Sequence, residues 1–71
     1  MNHHTIAGSS AIARIGYDEK AREMEIHFKS GKIYQYSDVD PEDHSALLSA
    51  ESVGRHFGAH IRPKYEGRLH K

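Results

Sequence analysis

Seventy-one residues, with no cysteine, seven histidines and a formal net charge of zero, describe one small domain. The missing cysteines exclude disulfides, thiolate metal sites and a cysteine nucleophile. No apolar run approaches the ~18 residues of a membrane span and Met1-Asn2-His3-His4 lacks the parts of a signal peptide, which points to a cytoplasmic protein with no membrane partner. The neutrality conceals two unlike parts. Through Glu51 there are five basic residues against nine acidic, net −4, and from Ser52 onward five basic residues against Glu66 alone, net +4. A basic end suits an anionic partner, and equally serves to neutralise the acidic part of the same molecule.

Residues 1–8 read as a flexible lead-in, since termini are ordered only when something ties them down. Ser9 to Tyr17 follows as a strand with Ala11, Ala13, Ile15 and Tyr17 on one face and Ile12 and Arg14 on the other. Asp18 to Ala21 is a polar connection short enough for a hairpin. Glu23 to Tyr36 then alternates apolar and polar side chains on either side of Ser30-Gly31, the pattern of a hairpin with one buried face. A three-residue loop with Gly31 in the left-handed position of a bulge suits this turn better than a two-residue loop. It sets Phe28 opposite Lys32, Ile26 opposite Tyr34 and Met24 opposite Tyr36, so both tyrosines face the core. A slip of one residue would place both on the outer face, where they could form a stacking platform for RNA. The three strands make an antiparallel meander.

Asp40-Pro41-Glu42-Asp43 is a helix start: a capping carboxylate, a proline that lacks the N–H the first turn does not need, and acids at the positive end of the dipole. His44, Leu47, Leu48 and Glu51 follow at helical spacing. Ser52 is placed to cap a second short helix carrying Val53, Phe57 and Ile61 at intervals of four, with Pro63 at its end. Gly54 and Gly58 lie near that stripe and allow close backbone approach. Residues 66–71 read as a basic tail. The predicted class is α+β, a three-stranded antiparallel meander packed against two short C-terminal helices.

The ordered set Ser9-Ser10, Ile15-Gly16-Tyr17-Asp18, Phe28-x-x-Gly31, Tyr34-x-Tyr36, Val39, Ala50-x-Ser52-x-Gly54-x-x-Phe57, Ile61-Arg62 and Tyr65 resembles the KTSC domain family. That family takes its name from the C-terminal region of some lysyl-tRNA synthetases and also occurs as free-standing short proteins in bacteria and their phages. The resemblance covers residues 9–65. It implies RNA binding only through the synthetase context and supplies no catalytic residues. His56, where the family usually has an aromatic, and Gly58, where Asn is common, depart from the pattern.

The candidate ligand-binding set is Ser52, Gly54, Arg55, His56, His60, Arg62 and Tyr65, with Tyr34 and Tyr36 as groove residues. A helix start offers free N–H groups to a phosphate, the arginines neutralise further charge, and Tyr65 offers a stacking face. The plainer reading is a cap, a packing glycine and solvated arginines. His56 and His60 share a helix face, but two imidazoles are not a metal site without further ligands, and Glu66 or His70 would have to fold back to supply one. No metal, cofactor or catalytic residue is assigned: Ser9 or Ser10 with Asp18 and a histidine is a triad by composition only. The expected function is a non-catalytic module for RNA or a nucleotide-like anion. The alternative is a protein-interaction module, an adaptor or phage-type inhibitor that self-associates to supplement a marginal core.

Overall fold

Gly31 sets the register of the central hairpin. In the structure, a computed structural model that describes residues 2–7 and 9–70, Gly31 has φ +99° and its N–H donates to the Phe28 carbonyl. Met1, Gly8 and Lys71, which belong to the expected lead-in and tail, lie outside the described residues. The Phe28 N–H closes the loop on the Lys32 carbonyl at 2.9 Å. Strands β3 (Glu23–Phe28) and β4 (Ile33–Tyr36) therefore pair Met24 with Tyr36 and Ile26 with Tyr34, the inward register.

The meander is wider than the sequence suggested. Asn2–Thr5 forms β1 and pairs with β2 (Ile12–Asp18), and Gly67–His70 forms β5 and pairs with β4. Among the described residues the sheet has five strands in the order β1-β2-β3-β4-β5, every neighbour antiparallel, in place of the predicted three. The lead-in and the tail are thus its two edges. All residues of both edge strands are exposed, so no alternation of apolar side chains marks them, and the backbone ladder is what defines them as strands.

The second correction concerns β2. Ile12 is fully buried beside Ile15 and Tyr17, although alternation assigned it to the opposite face. Between Ile12 and Arg14 the register with β3 slips by one residue, so that Ala13 is a bulge. An extra residue inverts the alternation beyond it. The strand begins at Ile12 and not at Ser9, whose Oγ instead accepts from the N–H groups of Ala11 and Ile12 in the turn that leads into it.

Helix α1 (Pro41–Ser49) begins as its sequence dictates, with the Asp40 carboxylate accepting from the Glu42 N–H at 2.9 Å. It ends before Glu51, and Leu47 is its one buried residue. Helix α2 (Val53–His56) runs directly into a π-helical turn, Phe57–Ile61, in which the Arg62 N–H reaches back to the Phe57 carbonyl at 2.9 Å. The Ser52 side chain makes no cap bond. Both helices lie on one face of the sheet, where Leu47, Phe57, Ile61 and Val39 close over Ile12, Ile15, Tyr17, Met24, Ile26 and Tyr36. No helix among the described residues is long and apolar enough to cross a membrane.

One polar group sits uneasily in this arrangement. The His44 ring stacks on Tyr17 with centroids 4.2 Å apart and planes 12° from parallel, and its buried Nε2 has no hydrogen-bond partner among the described residues. Burial, helped by His4 and opposed by Glu19, pushes the imidazole pKa below its ordinary 6.5. The unfolded chain therefore binds more protons than the native one in the window below 6.5, and stability falls as pH drops through that window, levelling off below the native value. Replacing His44 with phenylalanine keeps the stack and removes the orphaned nitrogen. Urea melts at neutral and mildly acidic pH will show the variant more stable by about 1–3 kcal/mol, with a flatter acid limb.

A groove between the hairpin and the second helix

The residues expected to form one constellation are divided by the helical period. Ser52, Arg55, His56, Ala59 and His60 fall on one side of α2 and its π turn, and with Ala50 and Glu51 they line an open depression. The His56 and His60 rings lie there 4.6 Å apart. Gly54, Phe57, Gly58 and Arg62 fall on the other side, facing the sheet. Helix α2 and the π turn form one continuous helical segment, and the Ser52 side chain, expected to cap its start, makes no bond to the N–H groups there.

Tyr65 leaves the set altogether. Its hydroxyl accepts from the Asp40 N–H at 3.1 Å and donates to the Asp43 carboxylate at 2.5 Å, which ties the segment after the π turn to the start of α1. Lys64 donates to the same carboxylate at 2.7 Å. Hydrogen bonds from Lys64 and Tyr65 hold the Asp43 carboxyl below its usual range despite some desolvation, and burial together with the bond to Asp43 pushes the Tyr65 phenol up. Part of the C-terminal positive charge is therefore spent on the acidic helix start, as the plainer reading anticipated. Arg68, paired in register with Gln35, falls on the sheet face away from the helices.

What remains on the helix side forms a groove. Ala11, Phe28, Ser30, Lys32, Tyr34 and Tyr36 of the sheet and its turn face Gly54, Phe57, Gly58 and Arg62 across an open cleft of about 430 Å³. Its floor is a chain of edge-to-face rings. Tyr34 meets Phe28 at 5.6 Å, Phe28 meets Phe57 at 5.8 Å, and Phe57 meets Tyr36 at 5.7 Å. Tyr36 is 4 % exposed and belongs to the core, whereas Tyr34 is half-buried. Burial pushes the Tyr36 phenol up, with the Arg62 charge opposing. Of the two glycines in the lining only Gly54 is sterically constrained: a Cβ there would come within 3.3 Å of Ser9 Oγ, outside the groove, whereas one on Gly58 would project into free space. Sequence reasoning missed Phe28 and Lys32 as site residues. The available signal was a lysine opposite Phe28, in a row of otherwise inward-facing residues.

The Tyr36 ring owes its position to a residue that looks inconsequential. Gly67 is exposed on β5, yet a Cβ there would stand 2.6 Å from Tyr36 Cε2 and 2.8 Å from its hydroxyl. Gly67→Ala must displace a ring already packed against Phe57. Thermal unfolding will register a loss of about 1–3 kcal/mol, the range of overpacked sites.

Fold and groove together define a small α+β domain in which short helices cover one face of an antiparallel sheet and leave an aromatic cleft beside the central hairpin. The family model described as the KTSC domain matches residues 8–65, and the chain belongs to this family. A protein of Stutzerimonas stutzeri, named only as uncharacterised, is 42% identical over 57 residues, covering 80% of this chain and 80% of its own. A lysine–tRNA ligase of Nostoc punctiforme is 35% identical over 57 residues, and there the match occupies 10% of the relative. Among solved structures, the crystal structure of a KTSC domain protein from Yersinia pestis superposes with a TM-score of 0.91 at 36% identity, covering 99% of this chain and 97% of that one. That match takes in nearly the whole chain, including segments outside the family model's residues 8–65.

Proposed function

We propose that this protein is a non-catalytic cytoplasmic module that binds RNA or a nucleotide-like anion, and that the groove is its contact surface. The observation that carries the reading is the pairing of a ring-lined floor with two exposed cations, Lys32 and Arg62, at its border. A half-buried tyrosine edge offers a base its stacking partner, and the cations meet the phosphates on either side. The volume falls within the roughly 300–1,000 Å³ of ligand clefts. The match to a segment of a lysine–tRNA ligase supports an RNA-related setting. Fluorescence anisotropy with a short single-stranded RNA tests the reading. Affinity will fall as salt rises, because phosphate contacts release counterions, and Tyr34→Ala will weaken binding by about 1–3 kcal/mol. Salt-independent binding, or none, counts against it.

A second reading, self-association or capture of a protein partner, has one observation in its favour. Leu69 on edge strand β5 is 51 % exposed and lies next to Tyr34 in register, beside an unpaired backbone edge. Sedimentation that grows with concentration in the wild type and not in Leu69→Lys is the result that reading requires.

A further inference from the structure

Three side chains far apart in the sequence converge on the sheet face that the helices leave open. The registers align His3 of β1, Gly16 of β2 and Glu25 of β3 in one row across the strands. Gly16 has no side chain to intervene, so the His3 ring reaches over β2 and brings its Nε2 to 3.5 Å from Glu25 Oε1. His27, two residues beyond Glu25 on the same face, brings its own Nε2 to 3.1 Å from that oxygen. The imidazoles meet edge-on at 5.6 Å, and all three donor atoms lie within 4.8 Å of one another.

Opposite Glu25, Gln35 donates its amide to Oε2 at 3.2 Å. That bond fixes the carboxylate and leaves Oε1 turned toward the two rings. Zinc bonds of about 2.0–2.2 Å at tetrahedral angles hold donor atoms roughly 3.3–3.6 Å apart. The two histidine–carboxylate separations are close to that spacing, and the third, between the imidazole nitrogens, lies within 4.8 Å and closes as the rings turn toward a shared ion.

We propose that His3, Glu25 and His27 form a binding site for a divalent transition-metal ion of the zinc type, with water completing the coordination. Two imidazoles and a carboxylate are the donor set such ions select, and Gln35 supplies the outer hydrogen bond that orients a ligating carboxylate. The site lies on the opposite face of the sheet from the groove and does not depend on the function proposed for it. Its physical effect is to staple the exposed edge strand β1 to the central strand β3.

Arg14 makes the proposal specific. Its Nη2 lies 3.4 Å from His27 Nδ1, an arrangement that suits the tautomer in which Nε2–H donates to Glu25 and Nδ1 accepts. Metal on Nε2 requires the proton to move to Nδ1, where it faces the guanidinium, so Arg14 has to turn away into solvent. Arg14 is exposed and can do so, but it opposes the ion both by its charge and by the contact it gives up.

Isothermal titration of the full chain with Zn2+ in a non-coordinating buffer tests the site, with circular dichroism confirming that each variant is folded. One Zn2+ will bind per chain and raise the melting temperature. His3→Ala and His27→Gln will each weaken binding at least about tenfold and Gln35→Leu by about tenfold, the scale of an outer-shell loss, while Arg14→Ala will strengthen it. Absence of binding, or binding that survives His3→Ala and His27→Gln and disappears with His56→Ala and His60→Ala, overturns the assignment.

Discussion

Replacing Lys32 and Arg62 together with glutamate will abolish RNA binding at the groove and leave the fold intact. Both side chains are exposed, and neither takes part in an ion pair among the described residues. Charge-assisted contacts to phosphate are worth roughly 1.5–3 kcal/mol each, so losing both lowers affinity by about a hundredfold or more before the added repulsion is counted. The salt dependence should flatten in parallel, each lost phosphate contact on a single strand removing about 0.7 from the slope of log K against log salt. Arg55→Ala with His60→Ala is the matched control. Those residues line the depression on the far side of the helix, and their loss will change affinity by no more than about threefold through screened charge. A control as damaging as the groove variant would move the site to the depression.

Leu47→Ala will have the largest effect on stability. Leu47 is the one buried residue of α1, and a nine-residue helix is marginal without such an anchor. Leucine-to-alanine truncation in a core costs about 2–5 kcal/mol, while domains of this size rarely have more than about 3–5 kcal/mol to lose. Denaturant titration will therefore find the variant with a substantial unfolded fraction before denaturant is added. Leu48→Ala, at a half-buried position, will be much milder. The contrast separates docking of the helix from its intrinsic propensity, since both changes improve the latter.

Where local chemistry was decisive, the fold was legible in the sequence. Ser30-Gly31 admitted a loop with one left-handed residue, and that loop set the register that turned both tyrosines inward. Asp40-Pro41 carried a cap and a start, and the helix begins there. The edge strands escaped notice because nothing in them is buried. Asn2–Thr5 and Gly67–His70 carry exposed side chains only, so their strand character lies in backbone pairing that depends on a neighbour. The face of Ile12 escaped for a different reason: a bulge at Ala13 is set by pairing with Phe28 and His27, and no local motif announces it.

The candidate site was legible in part. Gly54, Arg62, Tyr34 and Tyr36 share the groove, while Ser52, Arg55, His56 and His60 share the opposite side of the helix. A period of 3.6 residues predicts that division, and grouping by nearness in sequence obscured it. Tyr65 was drawn away by an acidic partner 22 residues earlier, a contact visible only in three dimensions. The segregation of charge along the chain likewise does not survive folding, because Lys64 neutralises Asp43, Arg55 and Arg62 diverge, and Arg68 belongs to the outer face.

The most direct test of the groove as a nucleotide-binding surface is an amide-resolved NMR titration with a short single-stranded RNA, and then with mononucleotides, at low and moderate salt. The groove predicts shifts at Lys32, Tyr34, Gly58 and Arg62 that saturate and fade as salt rises, with Glu51 and Ser52 quiet. Shifts confined to Glu51, Ser52, His56 and His60, or a spectrum indifferent to RNA at every salt concentration, would contradict it.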